Sequence, residues 1–380
     1  MERGQGSYTY DVDGNSYIDY GNSMMALVQG HSHPKIVEAV QKQLVNGTLF
    51  GSPMENVKQH AEILKKRIPS MENIRYNVTG TEAVMHCIRA SRAFTGREKV
   101  MKMAGSYHGM EDVIENELVG VSKAGRSDLV EGKYNETEVT KDIIVAHKDE
   151  LACVILAINP GNPPTEEFLK MIRETTEKHG IVFVLDEVVT FRLSYGGGQE
   201  MFNIRPDLTA TGKILGGGFP IGVFGGRADI MKVFSPDEPE SAHHSGTFAA
   251  TPVSIVAGLA SLEILDHATI TRINGLGDRM ANRLQATLDE LDIGGGASNL
   301  GSLVNLSITP PGTSSEKSQL YGALSGALGH SLLTKGIYSL FGSLFAISTP
   351  MTEQDIEEGV KAVQESLVEM KPVINEIAQS

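Results

Sequence analysis

A single lysine, Lys213, lies in the segment DLTATGKILGGGFPIG, residues 207–222, between a run of small residues and three consecutive glycines. A lysine on a solvated surface usually has polar neighbours, whereas this one is surrounded by apolar residues and glycine. The pattern predicts that Lys213 follows the end of a strand and lies in a tight turn, which glycine permits. The segment therefore raises the question of what an amine does in such a turn.

A carboxylate pair ends the apolar run of IVFVLDEVVTFR, residues 181–192, at Asp186 and Glu187. Open α/β sheets bind ligands beyond the carboxyl ends of their strands. A carboxylate at that position can accept a hydrogen bond from a protonated ring nitrogen and keep the ring charged. A solvated acid at a strand end, or a helix cap, is the alternative that this motif alone favours.

Two segments combine small residues with hydroxyl groups. In YNVTGTEAVMHCIRASRAF, residues 76–94, a strand pattern passes into a helix through residues 79–81. Backbone N–H groups at a helix N-terminus, with two hydroxyls and a glycine, can bind an anion. An ordinary N-cap with Glu82 in the first turn is the favoured alternative. The segment HSGTF, residues 244–248, is the second such cluster, and it could equally be only a loop.

An aromatic residue between glycines occurs in GSYHGM, residues 105–110, where Tyr107 and His108 follow a strand pattern. Such a ring can lie flat against a planar ligand, and a tight turn with a partly buried tyrosine is the alternative. Pyridoxal phosphate (PLP) needs all of these groups together. Its aldehyde requires an amine, its ring nitrogen a carboxylate, and its phosphate N–H and hydroxyl donors. The combination therefore predicts a PLP site, although each segment is ambiguous by itself.

Composition excludes several other classes. The 380 residues include 33 basic and 47 acidic ones, so the net charge of −14 repels nucleic acid and anionic lipid. No apolar run reaches membrane-spanning length, and the N-terminus is not typical of a signal peptide. Only Cys87 and Cys153 are cysteines, and neither a CxxC nor an HExxH metal motif occurs. We expect a cytoplasmic protein without a metal site and without nucleic-acid or membrane partners.

The elements that must position these residues follow from hydrophobic periodicity. Helical patterns alternate with short apolar strands from about residue 54 to 250, which predicts an α/β domain with a mostly parallel sheet. An N-terminal segment, residues 1–45, which contains a predicted hairpin in GSYTYDVDGNSYIDYG, is expected to join the small domain, whereas residues 46–255 form the large domain. Residues 256–380 then form a C-terminal α+β domain after a connecting helix, predicted from about Pro252 to Leu288.

At this point the sequence resembles the class III aminotransferases of PLP fold type I. The resemblance is carried by segments from RGQGSYTYDVDGNSYIDY through GHSHPKIVEAV, TGTEAVMHCIRASRAFTGR, YHG, DEVVTFRL and DLTATGKILGGGFPIGVFGGRADIM to HSGTF. It implies a large domain with a mostly parallel seven-stranded sheet between helices and a small α+β domain. The branch resembled is that of the β-amino-acid (β-phenylalanine-type) aminotransferases and glutamate-1-semialdehyde aminomutase, with DEVVTFRL and HSGTF closer to the former.

The resemblance also implies roles. Lys213 forms the internal aldimine and moves protons, Asp186 pairs with the ring nitrogen, and Val188 and Tyr107 cover the two ring faces. Thr247 reaches the phosphate of the neighbouring subunit, which implies a homodimer with shared active sites. The implied cofactor-binding set is Thr79, Gly80, Thr81, Tyr107, His108, Asp186, Val188, Lys213 and Thr247.

The substrate set departs from the resembled family. The sequence has no counterpart of the upstream arginine that binds the substrate carboxylate in β-transaminases, and no arginine near Phe341. The aminomutase glutamate is absent as well. Met24, Met25 and Phe341 are expected to form an apolar pocket. Arg192 is the remaining candidate for a substrate carboxylate, and a structural salt bridge is an equally good interpretation.

The predicted function is an aminotransferase that moves an amino group from an amine or β-amino acid to a keto acid by a ping-pong mechanism. One alternative is an aminomutase of the glutamate-1-semialdehyde type, which returns the amine to the same carbon skeleton. Another is a non-catalytic, PLP-binding dimer, because the altered substrate loops are compatible with lost activity. Dependence on an added keto acid separates the first two hypotheses.

Overall fold

The structure is a computed structural model that describes residues 1–115, 119–308 and 315–379. The chain forms two compact units, the first comprising Met1–Val37 with Ile264–Ser380 and the second Glu38–Glu263. The sequence placed the boundaries at residues 45/46 and 255/256. The observed boundaries fall within or at the end of helices, where hydrophobic periodicity gives no signal of a boundary.

Helices and strands are numbered in chain order. The strands are β1 (Arg3–Gln5), β2 (Tyr8–Tyr10), β3 (Ser16–Asp19), β4 (Asn73–Asn77), β5 (Lys99–Met103), β6 (Leu129–Gly132), β7 (Leu151–Ala157), β8 (Val182–Asp186), β9 (Leu208–Gly212), β10 (Gly222–Gly226), β11 (Gly296–Leu300), β12 (Leu303–Ser307), β13 (Ile337–Tyr338) and β14 (Leu344–Ala346). The α-helices are α1 (Asn22–Met25), α2 (Pro34–Leu44), α3 (Glu55–Arg67), α4 (Gly80–Thr95), α5 (Lys123–Ser127), α6 (Thr137–Ala146), α7 (Glu166–Lys178), α8 (Gly198–Met201), α9 (Ala228–Met231), α10 (Pro252–Ile264), α11 (His267–Glu290), α12 (Ser315–Thr334) and α13 (Glu353–Gln379). Short 3₁₀ helices are Thr190–Arg192, Lys213–Gly216 and Lys232–Phe234.

The described part of the second unit contains a seven-stranded sheet in the order β4-β10-β9-β8-β7-β5-β6. Strand β10 is antiparallel to β4 and β9, and the other neighbours are parallel. Strands β8 and β9 are buried at every position, as expected for parallel strands covered on both faces. The mostly parallel seven-stranded sheet predicted from the sequence is confirmed.

The first unit contains two small sheets, β1-β2-β3-β13 and β11-β12-β14. Strands β2 and β3 form the predicted N-terminal hairpin, with Tyr8 opposite Ile18. Strand β3 then pairs in parallel with β13 from the C-terminal part of the chain. The N-terminal segment therefore belongs to the same unit as the C-terminal residues.

The prediction of one helix from Pro252 to Leu288 is wrong. Helix α10 ends at Ile264, and α11 begins after Asp266, whose side chain accepts a hydrogen bond from Thr269 N at 2.7 Å. An aspartate in this position caps a new helix and so separates two segments of similar periodicity. The sequence also did not reveal β11 or α12, both in the first unit.

Helix α1 is a left-handed turn. Each of its four residues has a positive φ, from 45° at Asn22 to 67° at Met25. This conformation costs roughly 1–2 kcal/mol per non-glycine residue, so surrounding contacts must hold it. Asn22 supplies them, since its N–H donates to Asp19 Oδ1 at 2.9 Å and its side-chain amide donates to Ala346 O.

Both cysteines are free thiols in the core of the second unit. Cys87 and Cys153 have no solvent-exposed surface. Burial raises the pKa of the Cys153 thiol to about 12 and raises the pKa of Cys87 well above its ordinary value. Neither sulfur is therefore a thiolate at neutral pH.

None of the helices in the described ranges is by itself long and apolar enough to cross a membrane. Helices α10 and α11 meet the length and composition criteria only when they are counted together across the break between them. Core helices of ordinary globular proteins pass the same test, and eight residues of α10 are buried.

Candidate active site

The predicted site residues follow strand ends that meet at one edge of the seven-stranded sheet. Gly222, the first residue of β10, pairs with both Gly212 at the end of β9 and Asn77 at the end of β4. Asp186, the last residue of β8, pairs with Ala210 of β9. The carboxyl ends of β4, β8 and β9 therefore lie side by side, which brings the segments that follow them together.

Lys213 is the first residue after β9, and its backbone has a φ of 44°. Such a left-handed conformation is uncommon for a residue with a side chain and is often found at functional sites. Burial lowers the pKa of the Lys213 amine, the positive charge of Arg192 lowers it further, and the negative charge of Asp186 opposes both. The lowered pKa increases the fraction of the neutral amine, which is the form that can react, relative to an exposed lysine.

Contacts from two helices hold the turn that contains Lys213. Ser261 Oγ donates to Ile214 O at 2.6 Å. His60 Nε2 donates to Leu215 O at 3.2 Å, and Tyr76 OH donates to His60 Nδ1 at 2.9 Å. Burial lowers the pKa of His60 to about 4, so its ring is neutral and can both donate and accept. The strained lysine is thus fixed by its neighbours rather than by its own conformational preference.

Asp186 and His108 form a buried pair. The Nδ1–H group of His108 donates to Asp186 Oδ2 at 2.8 Å, while Val188 N–H donates to Oδ1 at 3.0 Å. These two bonds fix the carboxylate plane and leave one further acceptor position on each oxygen. His108 Nε2 is buried and has no hydrogen-bond partner among the described residues.

The neighbouring acid, Glu187, has a different environment. Its carboxylate accepts hydrogen bonds from Thr190 Oγ1 at 2.6 Å, Gly198 N at 2.7 Å and Gln199 N at 2.8 Å. Complete burial raises the pKa of Glu187, and these bonds oppose the rise. Glu187 therefore organises the loop after β8, whereas Asp186 is the acid with free acceptor positions. The strand pattern alone does not distinguish the two acids, whereas the family resemblance assigns the contact with the ring nitrogen to Asp186.

The N-terminus of α4 has a capping box. Glu82 Oε2 accepts from the N–H groups of Val78 and Thr79, both at 2.9 Å, and Thr79 Oγ1 accepts from Glu82 N at 3.2 Å. The first intrahelical bond runs from Ala83 N to Thr79 O. Because Gly80 N–H precedes that bond and points out of the helix, it is available to an anion, as is the N–H of the residue that follows.

Close backbone approaches connect this helix N-terminus to the other loops. A Cβ atom on Gly222 would collide with Thr79 O, and a Cβ on Gly80 would lie 2.9 Å from Val188 Cγ2. Thr81 Oγ1 accepts a hydrogen bond from Met110 N at 3.3 Å. The anion-binding helix end, the loop after Asp186 and the loop of Tyr107 and His108 are therefore in contact.

Three further predicted residues of the second unit have contrasting exposure. Tyr107 is 65% exposed. Thr247 is exposed and lies in the loop before α10. Arg192 has no exposed surface, and burial lowers its pKa to about 9. Complete burial favours a structural role for Arg192 over direct contact with a substrate.

The three apolar residues predicted to contact the substrate belong to the first unit. Met24 and Met25 are part of the left-handed turn α1. Phe341 also has a positive φ, of 55°, and is 70% exposed.

The donor and acceptor set of the second unit fits PLP. The free N–H groups and hydroxyl at the start of α4 suit a phosphate, and Gly222 allows the strand to pass close beneath them. Asp186 is an oriented acceptor for a protonated ring nitrogen, and Lys213 is a desolvated amine for an aldehyde. The unpartnered His108 Nε2 is a buried polar atom of the kind found where a ligand or water completes a site.

Known proteins resemble this chain in sequence and fold. Residues 1–364 match the class III aminotransferase family. An omega-transaminase from Sphaerobacter thermophilus is 35% identical over 96% of this chain and 90% of that chain, with a TM-score of 0.92. A β-phenylalanine aminotransferase from Variovorax paradoxus is 30% identical over 97% of this chain and 87% of that one, with a TM-score of 0.89.

A glutamate-1-semialdehyde aminomutase from Pseudomonas aeruginosa PAO1 has the same fold, with a TM-score of 0.87 over 97% of this chain and 87% of that one, at 22% identity. Related structures contain PLP or its amine form. The family, the fold and the cofactor predicted from the sequence are thus confirmed. The chain belongs to the class III aminotransferases, PLP-dependent enzymes that carry out transamination.

Proposed function

We propose that this aminotransferase takes the amino group of an amine or β-amino acid and transfers it to a keto acid such as 2-oxoglutarate or pyruvate. The observation that carries the proposal is the partly buried Lys213, which has a left-handed backbone and directly follows β9, the neighbour of the strand that ends in Asp186. Family membership supports amine and keto-acid substrates in general. Two of the relatives, an omega-transaminase and a β-phenylalanine aminotransferase, support the choice of donor.

PLP, when bound, supplies an aldehyde that reacts with primary amines and a pyridinium ring that accepts electrons. Lys213 Nζ, whose pKa is lowered by burial, would be the base that removes a proton from the amine-bearing carbon of the donor, and it would deliver a proton to the corresponding carbon of the acceptor in the second half-reaction. Asp186 would accept a hydrogen bond from the ring N–H group and so favour the protonated ring. His108 Nδ1–H orients that carboxylate.

Binding and exclusion of water fall to the surrounding residues. Gly80 and Thr81 donate N–H groups to the phosphate, and Thr81 Oγ1 is a further donor. Thr79 acts differently, because its N–H and hydroxyl groups are engaged by Glu82 and shape the helix end. Val188 and Tyr107 would cover the two faces of the ring.

The proposed assembly is a homodimer in which Thr247 serves the partner's cofactor. In this chain Thr247 is exposed and Phe248 is 59% exposed, as is typical of residues that a second subunit covers. Exposure of a hydroxyl and a neighbouring large apolar side chain supports a shared site. The oligomeric state is measured by sedimentation of the purified protein.

The test of the function is a panel of amine and β-amino-acid donors, each with and without a keto acid. We expect turnover that requires both substrates and gives parallel reciprocal plots, as a ping-pong mechanism does. Turnover of a donor without any keto acid would instead identify an aminomutase. If no donor changes the absorbance of the bound cofactor even in a single turnover, the chain is a non-catalytic PLP-binding protein.

A cytoplasmic location is also proposed. The two buried free thiols and the absence of a disulfide among the described residues are compatible with a reducing compartment. Fractionation of cells that express the protein at its natural level provides the measurement, and recovery in a membrane or secreted fraction would refute this part of the proposal.

A further inference from the structure

A histidine anchors the loop that carries Thr247. His244 lies three residues before it, and its Nε2 atom is 2.8 Å from Asn77 Oδ1 at the end of β4. Arg75 Nη1 lies 3.4 Å from His244 Nδ1. Because a guanidinium can only donate, Nδ1 accepts and the ring proton is on Nε2, which donates to Asn77. Both ring nitrogens of His244 therefore form hydrogen bonds.

Aromatic rings surround His244 in addition. Its ring centroid is 4.6 Å from that of His86, 5.3 Å from that of Phe224 and 6.0 Å from that of Phe234. Burial lowers the pKa of His244 to about 4, and electrostatic interactions with His86 and Arg75 contribute to the decrease. At neutral pH the ring is therefore uncharged and its hydrogen-bonding pattern is fixed.

The same cluster touches the proposed phosphate site of its own subunit. His86 Nδ1 donates to Glu82 O at 2.8 Å, and the Glu82 carboxylate holds the N–H groups of Val78 and Thr79. Asn77, the partner of His244, directly precedes that segment. The Thr247 loop is consequently tied to the strand and helix that form the anion-binding turn, while Thr247 itself is exposed.

We propose that His244 is a positioning residue that holds Thr247 in place for the cofactor phosphate of the partner subunit. This inference rests on the shared-site dimer of the proposed function. A hydroxyl on an exposed loop contributes little to the free energy of phosphate binding unless the loop is already ordered. Ordering the loop on binding would cost conformational entropy and offset the new hydrogen bond. His244 supplies that order through Asn77, Arg75 and the aromatic cluster.

The first test measures the rate at which PLP dissociates from the holoenzyme, followed by capture of the released cofactor. His244→Phe keeps the ring packing but removes both hydrogen bonds of the His244 ring. We expect this variant to release PLP about tenfold faster, because a displaced Thr247 loses roughly one charge-assisted hydrogen bond to the phosphate. His244→Gln retains a donor and an acceptor and should restore most of the difference. His243→Phe is the matched control, because His243 is exposed and uses only its carbonyl, which accepts from Arg89.

A double-mutant cycle with Thr247→Val then separates positioning from general stability. If His244 acts through Thr247, the double variant His244→Phe/Thr247→Val releases PLP no faster than Thr247→Val alone. Additive effects, or normal release from His244→Phe, would overturn the role of His244 while leaving the shared site intact. A protein that is monomeric, or in which Thr247→Val leaves release unchanged, would instead refute the shared-site dimer and this inference together.

Discussion

Lys213 combines two features that rarely occur together in a lysine: a left-handed backbone and a side chain that is largely removed from water. Its pKa is lowered chiefly by burial. Both features are costly in a folded protein and are retained where the amine has a chemical task. The chemistry of the site therefore depends on this residue more than on any other.

Lys213→Ala is expected to abolish covalent attachment of the cofactor, because no other amine occupies the turn after β9. Turnover should fall by at least about 10³-fold, as for removal of other essential nucleophiles. The measurement is mass spectrometry after borohydride reduction. Lys232→Ala is the control, since the Lys232 amine pairs with Glu238 at 2.8 Å on the surface. Cofactor fixed to the Lys213→Ala variant would show that another amine has this role.

The pH dependence of cofactor capture follows from the charges around Lys213. Because burial places its pKa below 10.5, the rate of capture by the apoenzyme should rise with pH and level off below that value. Asp186 stabilises the charged amine, so Asp186→Asn should move the midpoint to lower pH. The rates of PLP capture are measured between about pH 6 and pH 10. Nα-acetyl-lysine, whose ε-amine is free, is the reference for the titration of PLP itself. An upward shift in the variant would contradict the assigned electrostatics.

Asp186→Asn also tests the ring-nitrogen contact in turnover. The variant should bind PLP but lose most activity, because a neutral amide does not hold the ring nitrogen protonated. His108 is expected to keep its position, since the amide oxygen can still accept from Nδ1. An unchanged turnover number, compared with the wild type at saturating substrates, would remove Asp186 from the mechanism.

The turn after β9 is held by elements that are distant in sequence. Helix α10 approaches it so closely that a Cβ atom on Gly258 would collide with Leu215 O. Gly258→Ala should therefore lower the free energy of unfolding by about 1–3 kcal/mol, as overpacking does. Gly275→Ala in α11 should raise it by about 0.5–1 kcal/mol, because open space surrounds that position and alanine favours a helix. Urea denaturation measures the free energy of unfolding of both variants. The same change in both would contradict the close approach of α10 to the turn after β9.

Sequence patterns identified the residues at strand ends because parallel strands read as apolar runs that stop at polar residues. Lys213 and Asp186 were predictable for this reason. His60 and Ser261 were not predictable, since a single polar residue in a helix does not reveal a partner 155 or 47 residues away. The break at Asp266 was missed because one cap separates two helices with similar periodicity.

At the scale of the whole molecule, the proposed shared site predicts complementation between defective subunits. Lys213→Ala and Thr247→Val subunits are mixed, and the hybrid dimer is isolated with two different affinity tags. One of its sites then has Lys213 from one subunit and Thr247 from the other. That site should bind one PLP per dimer with the release rate of the wild type. Fast release, as in the Thr247→Val homodimer, would show that both residues act within one subunit.

The alkylation rate of the two buried cysteines provides a measure of how often the second unit opens. Alkylating reagents attack only a thiolate in contact with solvent, and Cys87 and Cys153 are neither ionised nor accessible while the second unit is folded. Every modification event must therefore wait for that unit to open, so the labelling rate reports its opening without any engineered probe. Addition of a ligand that closes or stabilises the unit would register directly as slower labelling.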